Sequence, residues 1–167
     1  MLARTGLTIT EHQHRTVDNL LQLRQLWPAE CGRCPFVPVL QGWTAQDYQQ
    51  CAQLYEAAGV RLAEEPIVGL GSVCRRQHTS QIEHLVHALA RLGVALHGFG
   101  VKTTGLTRYG RLLTSADSLA WSYAGRRTPG CTPSHRNEAN CQRFALAWHH
   151  RILTRTADRP LTLWDTP

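Results

Sequence analysis

The chain has 167 residues and a mass of 18.7 kDa, the size of one domain that buries about 70% of its unfolded surface. Its hydrophobic content of 43% and charged content of 18% exclude an intrinsically disordered chain. The formal net charge is +6, and all of the 18 Lys and Arg residues except Lys102 are arginine, a composition equally consistent with phosphate-bearing partners and with a biased genomic base composition.

The apolar runs are too short to span a membrane, and residues 1–10 lack the basic start and apolar core of a signal peptide. We therefore expect a cytoplasmic protein with no membrane partner. Six cysteines without an export signal favour metal binding or free thiols over disulfides.

The first half of the chain alternates predicted helices and strands. Apolar residues at near-helical spacing predict a helix from about Thr10 to Leu26, with Thr8 or Thr10 as its N-cap. The apolar run from Phe36 to Leu40 predicts a strand. The loop QGWT then leads into a predicted helix from Ala45 to Ala58, with Thr44 as its N-cap.

The second half repeats this plan. Predicted strands lie at about Pro66–Leu70, Val94–Phe99 and Ser115–Trp121, and predicted helices at about Thr79–Leu92, Gly105–Leu113 and Asn137–Leu153. Strands separated by crossover helices indicate an α/β fold with a parallel sheet, either a barrel or an open doubly wound sheet. The chain has no GxGxxG turn or GK[ST] phosphate loop. A complete (β/α)8 barrel needs about 250 residues, more than this chain offers.

Three predicted strands end in glycine, serine, aspartate or arginine. Their turns read VGLGSVCRR (Val68–Arg76), LHGFGVK (Leu96–Lys102) and SADSLAWSYAGRR (Ser115–Arg127). Residues just past the carboxyl ends of parallel strands form the ligand sites of α/β folds, so these turns predict one shared site. Asp117 is its acidic residue. The alternative is that Asp117 caps the following segment or pairs with one of the arginines that follow it.

Cysteines and histidines cluster in the segment 130–150. Cys131, His135 and Cys141 are spaced as ligands of a closed tetrahedral zinc site with a structural role. We predict His149 as the fourth ligand, with His150 and Glu138 as alternatives. The other interpretation is two buried thiols and surface histidines.

Five motifs in order carry a resemblance to a known family. They are VLQGW (Val39–Trp43), VGLGSVCRRQ (Val68–Gln77), LHGFGVKT (Leu96–Thr103), SADSLAWSYAGR (Ser115–Arg126) and the Cys/His cluster after Gly130. From about residue 1 to 152 the chain resembles the carboxyl-terminal part of the deazapurine-in-DNA transglycosylases, the DpdA family, which are relatives of the tRNA-guanine transglycosylases.

The resemblance implies a fold and a reaction. The fold would be a partial (β/α)8 barrel of the TIM type. The reaction would replace guanine in DNA or tRNA with a 7-deazaguanine such as preQ0, with Asp117 as the nucleophile that holds the covalent glycosyl intermediate. Carboxylates do similar work in retaining glycosidases.

The resemblance also implies the remaining site residues. Substrate contacts would come from Gln41, Gly42, Gly69, Leu70, Gly71, His97, Gly98, Phe99, Gly100 and Lys102. Nucleic-acid phosphates would be met by Arg75, Arg76, Arg126 and Arg127. The relatives carry zinc near the Cys/His cluster, and Glu138 stands here where their middle cysteine is expected.

The main departure from the family is the absence of a second carboxylate. Nothing in residues 1–36 resembles the acidic, glycine-rich turn that supplies the general acid in the relatives. We therefore expect residues 1–155 to form an incomplete barrel domain, followed by a tail at 156–167. A second chain or a homo-oligomer would complete the barrel. The alternative function is a non-catalytic remnant that binds nucleic acid or a partner.

Overall fold

The computed structural model describes residues 5–73 and 80–157. Helices and strands alternate along these residues, in agreement with the sequence patterns. The helices are α1 (Ile9–Leu26), α2 (Ala45–Ala57), α3 (Ser80–Ala90), α4 (Thr103–Tyr109), α5 (Ala120–Gly125) and α6 (Gln142–Ala157). The strands are β1 (Val39–Leu40), β2 (Val68–Leu70), β3 (Leu96–Gly98) and β4 (Ser115–Ala116). Short 3-10 turns cover Ala29–Cys31, Leu62–Glu64 and Gly110–Leu112.

The four strands form one sheet in the order β1-β2-β3-β4, and every pair is parallel. The mixed α/β class and the parallel sheet are therefore confirmed. Each strand neighbours the next one along the chain, so the order never reverses. Among the described residues, β1 and β4 are the two edges of the sheet.

Reciprocal caps fix the starts of the first two helices. The Oγ1 of Thr8 accepts the backbone N–H of Glu11 at 3.2 Å, and the Glu11 carboxylate accepts the backbone N–H of Thr8 at 2.7 Å. Thr44 and Asp47 make the same pair of bonds at 3.2 and 2.7 Å. Two orphan amide groups at each helix start are thereby satisfied. The predicted cap at Thr44 is confirmed, and Thr8 rather than Thr10 caps α1.

The core lies on one face of the sheet. Leu40, Val68, Leu70 and Leu96 are fully buried there, as alternation along each strand requires. They share one apolar cluster with side chains from α2, α3 and α4, including Tyr48, Tyr55, Ile82, Val86 and Tyr109. The opposite face carries Val39, Gly69, His97 and Ser115, three of which are only partly buried. At the carboxyl ends of the strands, this second face continues into the loops that carry the predicted site residues.

Most predicted elements differ from the structure by a few residues at their ends, and two differ by five residues at one end. The strand expected from Ser115 to Trp121 ends at Ala116, because the chain turns after it and α5 begins at Ala120. The Oγ of Ser118 accepts the backbone N–H of Ala120 at 3.2 Å, which stabilises that turn. The helix expected from Asn137 begins only at Gln142, because the preceding residues fold around the cysteine cluster described below.

Candidate functional site

The sheet register brings the predicted site residues to one edge. Val39 pairs with Gly69, Gly69 with His97, and His97 with Ser115. Side chains two residues apart on a strand point to the same face. The residues just after the strands, Gln41, Gly71, Phe99 and Asp117, therefore continue this face at the carboxyl edge of the sheet.

Asp117 follows the last residue of β4. Its backbone N–H donates to the Gly98 carbonyl at 3.3 Å, so the parallel ladder extends to this residue. Its Oδ1 accepts the backbone N–H of Gly100 at 2.5 Å and lies 3.9 Å from Nε2 of His97. The side chain is 64% exposed. The carboxylate is thus oriented by one of its oxygens and open to a ligand.

His97 lies between a hydroxyl and this carboxylate. Its Nδ1 is 2.8 Å from Oγ of Ser115, and its ring makes an edge contact with Phe99 at 4.7 Å between centroids. The side chain is 22% exposed. Ser115 was not predicted as a site residue, although it stands two positions before Asp117, where strand alternation places it on the same face.

Phe99 covers the glycine of the neighbouring strand. A Cβ atom at Gly69 would lie 2.4 Å from Cε2 of Phe99. The phenyl ring therefore occupies the space that a side chain at Gly69 would fill, and glycine is required by this close approach. The Phe99 side chain remains 39% exposed, so it lines the open face and is not part of the core.

The loop after β1 is held by α1 and α2. The Gln41 side chain donates to Oγ1 of Thr16 at 3.3 Å, and the buried Gln13 side chain donates to the Gln41 carbonyl at 2.7 Å. A Cβ at Gly42 would meet Cβ of Asp47 at 2.6 Å. Gly42 thus allows the start of α2 to pack closely. Gln13 was not predicted; a buried glutamine on a polar helix face gives no sequence signal.

Three other predicted substrate-contact residues are engaged by neighbouring parts of the protein. The Leu70 side chain points into the core, which leaves only its backbone for a ligand. The Gly71 carbonyl accepts the Tyr48 hydroxyl at 2.7 Å. A Cβ at Gly98 would lie 2.6 Å from Cγ2 of Val101. Leu70 and Gly98 therefore face the packed side of the sheet, and Gly71 contacts α2 through its backbone carbonyl.

One arginine contacts Tyr123 on α5, and the charges of two further cations reach it. The Arg127 guanidinium donates to the Tyr123 hydroxyl and lies 4.0 Å from the centroid of its ring. The hydrogen bond from Arg127 lowers the pKa of Tyr123, and the charges of Arg127, Lys102 and Arg126 lower it further. Tyr123 is 58% exposed. Arg126 and Arg127 were predicted as nucleic-acid contacts and Lys102 as a substrate contact; Tyr123 was not predicted.

Arg75 and Arg76 lie outside the described residues. Their predicted contact with phosphate stays a prediction.

The predicted metal cluster forms with a different fourth member. Ligand atoms of Cys131, His135, Glu138 and Cys141 all lie within 4.8 Å of one another, so this group could hold a metal ion. The Cys131 sulfur is 3.4 Å from Nδ1 of His135 and 3.7 Å from the Cys141 sulfur. His149, the predicted fourth ligand, is an exposed residue of α6 and does not join this group.

Glu138 is a buried carboxylate in unusual surroundings. It is 3% exposed, and neither carboxylate oxygen reaches hydrogen-bond geometry with any group in the described ranges. The Cys141 and Cys131 thiols beside it lower its pKa, and the carboxylate in turn raises the pKa of the Cys131 thiol. A bound cation would satisfy this orphaned charge.

Backbone contacts connect the cluster to the end of α5. The Glu138 N–H donates to the Gly125 carbonyl at 3.0 Å. A Cβ at Gly125 would lie 2.5 Å from the Glu138 carbonyl oxygen. The segment that holds the cluster therefore packs directly against the residue that precedes Arg126 and Arg127.

The arrangement as a whole offers an exposed carboxylate, an imidazole, an aromatic ring and a nearby cationic group. A carboxylate at the end of a parallel strand is suited to covalent or electrostatic catalysis. None of the described helices is both long enough and apolar enough to cross a membrane.

Comparisons with known proteins give one match. The model of the family described as "DeoxyPurine in DNA protein A" (DpdA) matches residues 1–166. No curated protein and no solved structure matches the chain.

Proposed function

The chain belongs to the DpdA family, and from this membership, which implies a role in deazapurine modification of DNA, we propose that it carries a base-exchange site. Asp117 attacks C1′ of a deoxyguanosine, the C1′–N9 bond breaks, and guanine leaves. A 7-deazaguanine such as preQ0 then displaces the carboxylate from C1′. Two displacements at one carbon retain the configuration.

The position of Asp117 is the observation that carries this proposal. The Gly100 amide and His97 both lie against Oδ1, so the carboxylate is held in one orientation while most of it stays exposed. A nucleophile needs both fixed geometry and access. We also propose that the chain is related to the tRNA-guanine transglycosylases and, like them, transfers a pentosyl group from one base to another.

The base would bind on the open face of the sheet. Phe99 presents a half-exposed ring above Gly69, which supports stacking of a flat purine. Gln41 lies at the same edge, just after β1, and its side-chain amide would meet polar groups of the base. Because Phe99 lies over Gly69, the backbone of Leu70 and Gly71, past the ring, would be the part of this turn that approaches the exocyclic groups.

DNA phosphates would bind at the cations around Tyr123. Arg127 lies against the exposed Tyr123 ring, and the charges of Lys102 and Arg126 also lower the Tyr123 pKa, which supports a positive surface near the strand ends. Arginine is well suited to phosphate. A target base in duplex DNA would be flipped out of the stack to reach Asp117.

Zinc is the metal that the cluster would hold. Two thiolates, an imidazole and a carboxylate are all zinc ligands. Bonds of about 2.0–2.3 Å in a tetrahedron separate ligand atoms by roughly 3.3–3.8 Å, and the two sulfur-centred distances are 3.4 and 3.7 Å. The ion would have a structural role, since four protein ligands leave no open position. It would fix the segment after α5.

We also infer that the sheet is part of a (β/α)8 barrel. Doubly wound sheets reverse their strand order at a switch point, whereas these four strands follow one another without reversal. Further strands, from another copy or another chain, would pair with the edges β1 and β4. Analytical ultracentrifugation tests this, because a strictly monomeric species at all concentrations would contradict completion by a second copy.

Denaturing gels test the covalent step. Duplex oligonucleotides containing guanine are incubated with the protein, and an adduct that survives denaturation is sought for the wild type, Asp117→Asn and Asp18→Asn. Asp18 is an exposed carboxylate on α1, far along the chain from the site. We expect the adduct to disappear only in Asp117→Asn. DNA binding by the wild type without any adduct would favour the alternative, a non-catalytic binding protein.

A further inference from the structure

His97 has two polar neighbours on opposite ring nitrogens. Ser115 engages Nδ1 at 2.8 Å, and Nε2 faces Oδ1 of Asp117 at 3.9 Å. Phe99 contacts the ring at its edge. The imidazole is therefore fixed in orientation, and Nε2 is the nitrogen that reaches the carboxylate.

Breaking the bond to guanine requires a proton as well as a nucleophile. Guanine expelled as an anion is a poor leaving group, and protonation of the departing base lowers that barrier. Histidine is the side chain that most often performs such a transfer. His97 is close to Asp117 without being tightly paired to it, since 3.9 Å exceeds a hydrogen-bond distance.

The separation of 3.9 Å between Nε2 and Oδ1 is shorter than the spacing in a comparable class of enzymes. In retaining glycosidases the nucleophile and the acid/base group are about 5–5.5 Å apart, on either side of the bond that breaks. Oδ1 is engaged by Gly100 and faces His97, so Oδ2 is the oxygen better placed for attack.

We propose that His97 is the general acid and base of the exchange, with Ser115 as its positioning residue. This inference rests on the proposed function. In the first step Asp117 forms a bond to C1′, the C1′–N9 electron pair passes to guanine, and Nε2–H of the imidazolium protonates the leaving base. In the second step neutral Nε2 takes the N9 proton of the incoming 7-deazaguanine as N9 attacks C1′, and the carboxylate is released. His97 ends as imidazolium, ready for another turnover.

A leaving group that needs no proton isolates this role. 7-Methylguanine departs from DNA as a neutral base, because its ring already carries a positive charge. The site should accept it, since preQ0 also bears a substituent at position 7. Adduct formation is measured on oligonucleotides that contain guanine or 7-methylguanine, with the full chain and with His97→Gln, Asp117→Asn and His14→Gln. His14 is an exposed residue of α1 and serves as the control.

The proposal predicts a different effect of each variant on the two oligonucleotides. His97→Gln should slow adduct formation on guanine by about 10²- to 10⁴-fold and leave the reaction of 7-methylguanine close to that of the wild type. Asp117→Asn should abolish both reactions, and His14→Gln should change neither.

Other patterns overturn the inference. Equal slowing of both substrates by His97→Gln would mean that His97 only positions Asp117. Unchanged rates on both would mean that it has no role. If the wild type forms no adduct with either oligonucleotide, the covalent function of Asp117 itself fails, and the role of His97 falls with it.

Discussion

The backbone N–H of Gly100 donates a hydrogen bond of 2.5 Å to Oδ1 of Asp117. Gly100 has a φ of +63°, a left-handed conformation that glycine adopts without steric cost. The turn after β3 therefore orients a carboxylate at the end of β4. This contact between neighbouring strands makes the candidate nucleophile depend on a glycine 17 residues earlier in the chain.

Gly100→Ala tests this dependence. We expect it to lower the free energy of unfolding by about 1–2 kcal/mol through backbone strain and to slow formation of the DNA adduct, because the amide would shift from Oδ1. Gly59→Ala is a matched control, with a φ of +79° and nothing within 4 Å of an added Cβ. Urea unfolding and gel assays measure the two effects. Adduct rates that fall equally in both variants would contradict the role of the amide.

Gly69→Ala tests the position of Phe99. The added methyl would lie 2.4 Å from Cε2 of the ring, so the ring must move, at a cost of about 1–3 kcal/mol in the free energy of unfolding. Base exchange should fall because Phe99 also contacts His97. A double variant with Phe99→Leu should recover part of the stability, as coupled neighbours do. Strictly additive effects would show that the two residues are not in contact.

Glu138→Gln tests the metal centre. The purified protein should bind one zinc ion, and this variant should weaken zinc affinity by at least the roughly 10- to 100-fold that loss of a supporting partner costs. Competition with a chromophoric chelator gives the affinity, and elemental analysis gives the stoichiometry. His149→Gln should leave both unchanged. Weaker binding in His149→Gln instead would restore the histidine as the fourth ligand.

Arg127→Gln tests the cation group around Tyr123. The Arg127 hydrogen bond and charge favour the tyrosinate form and lower the Tyr123 pKa. Removing the guanidinium should therefore raise that pKa towards the ordinary value for tyrosine. Absorbance titration at alkaline pH, with Tyr123→Phe subtracted to isolate this residue, measures the change. Arg91→Gln, at an exposed position after α3, should have no effect.

The same pair of variants tests phosphate contact. If Arg127 meets a DNA phosphate, Arg127→Gln should reduce the slope of log affinity against log salt by about 1 and weaken binding alike for all DNA sequences. Arg91→Gln should keep the wild-type slope. An unchanged slope in Arg127→Gln would place the DNA elsewhere on the protein.

Local patterns accounted for most of the elements. The apolar spacing and the Thr44 cap predicted α2 within one residue of its end, because caps and helical periodicity act over a few neighbouring residues. The strand containing Ser115 was predicted too long. Its apolar run also suits a helix, and only the turn at Ser118 decides between them.

Some features of the candidate site could also be predicted from the sequence, and others could not. The amino-acid sequence by itself determined the order of strands and helices, the parallel class of the sheet, and the meeting of Asp117 with the glycine turns at one edge, because these follow from chain order and short-range preference. Only the tertiary structure decided which groups touch: His97 against Ser115 and Asp117, and Glu138 among the two cysteines. Such contacts depend on side-chain direction and on packing between distant segments, and no local pattern encodes them.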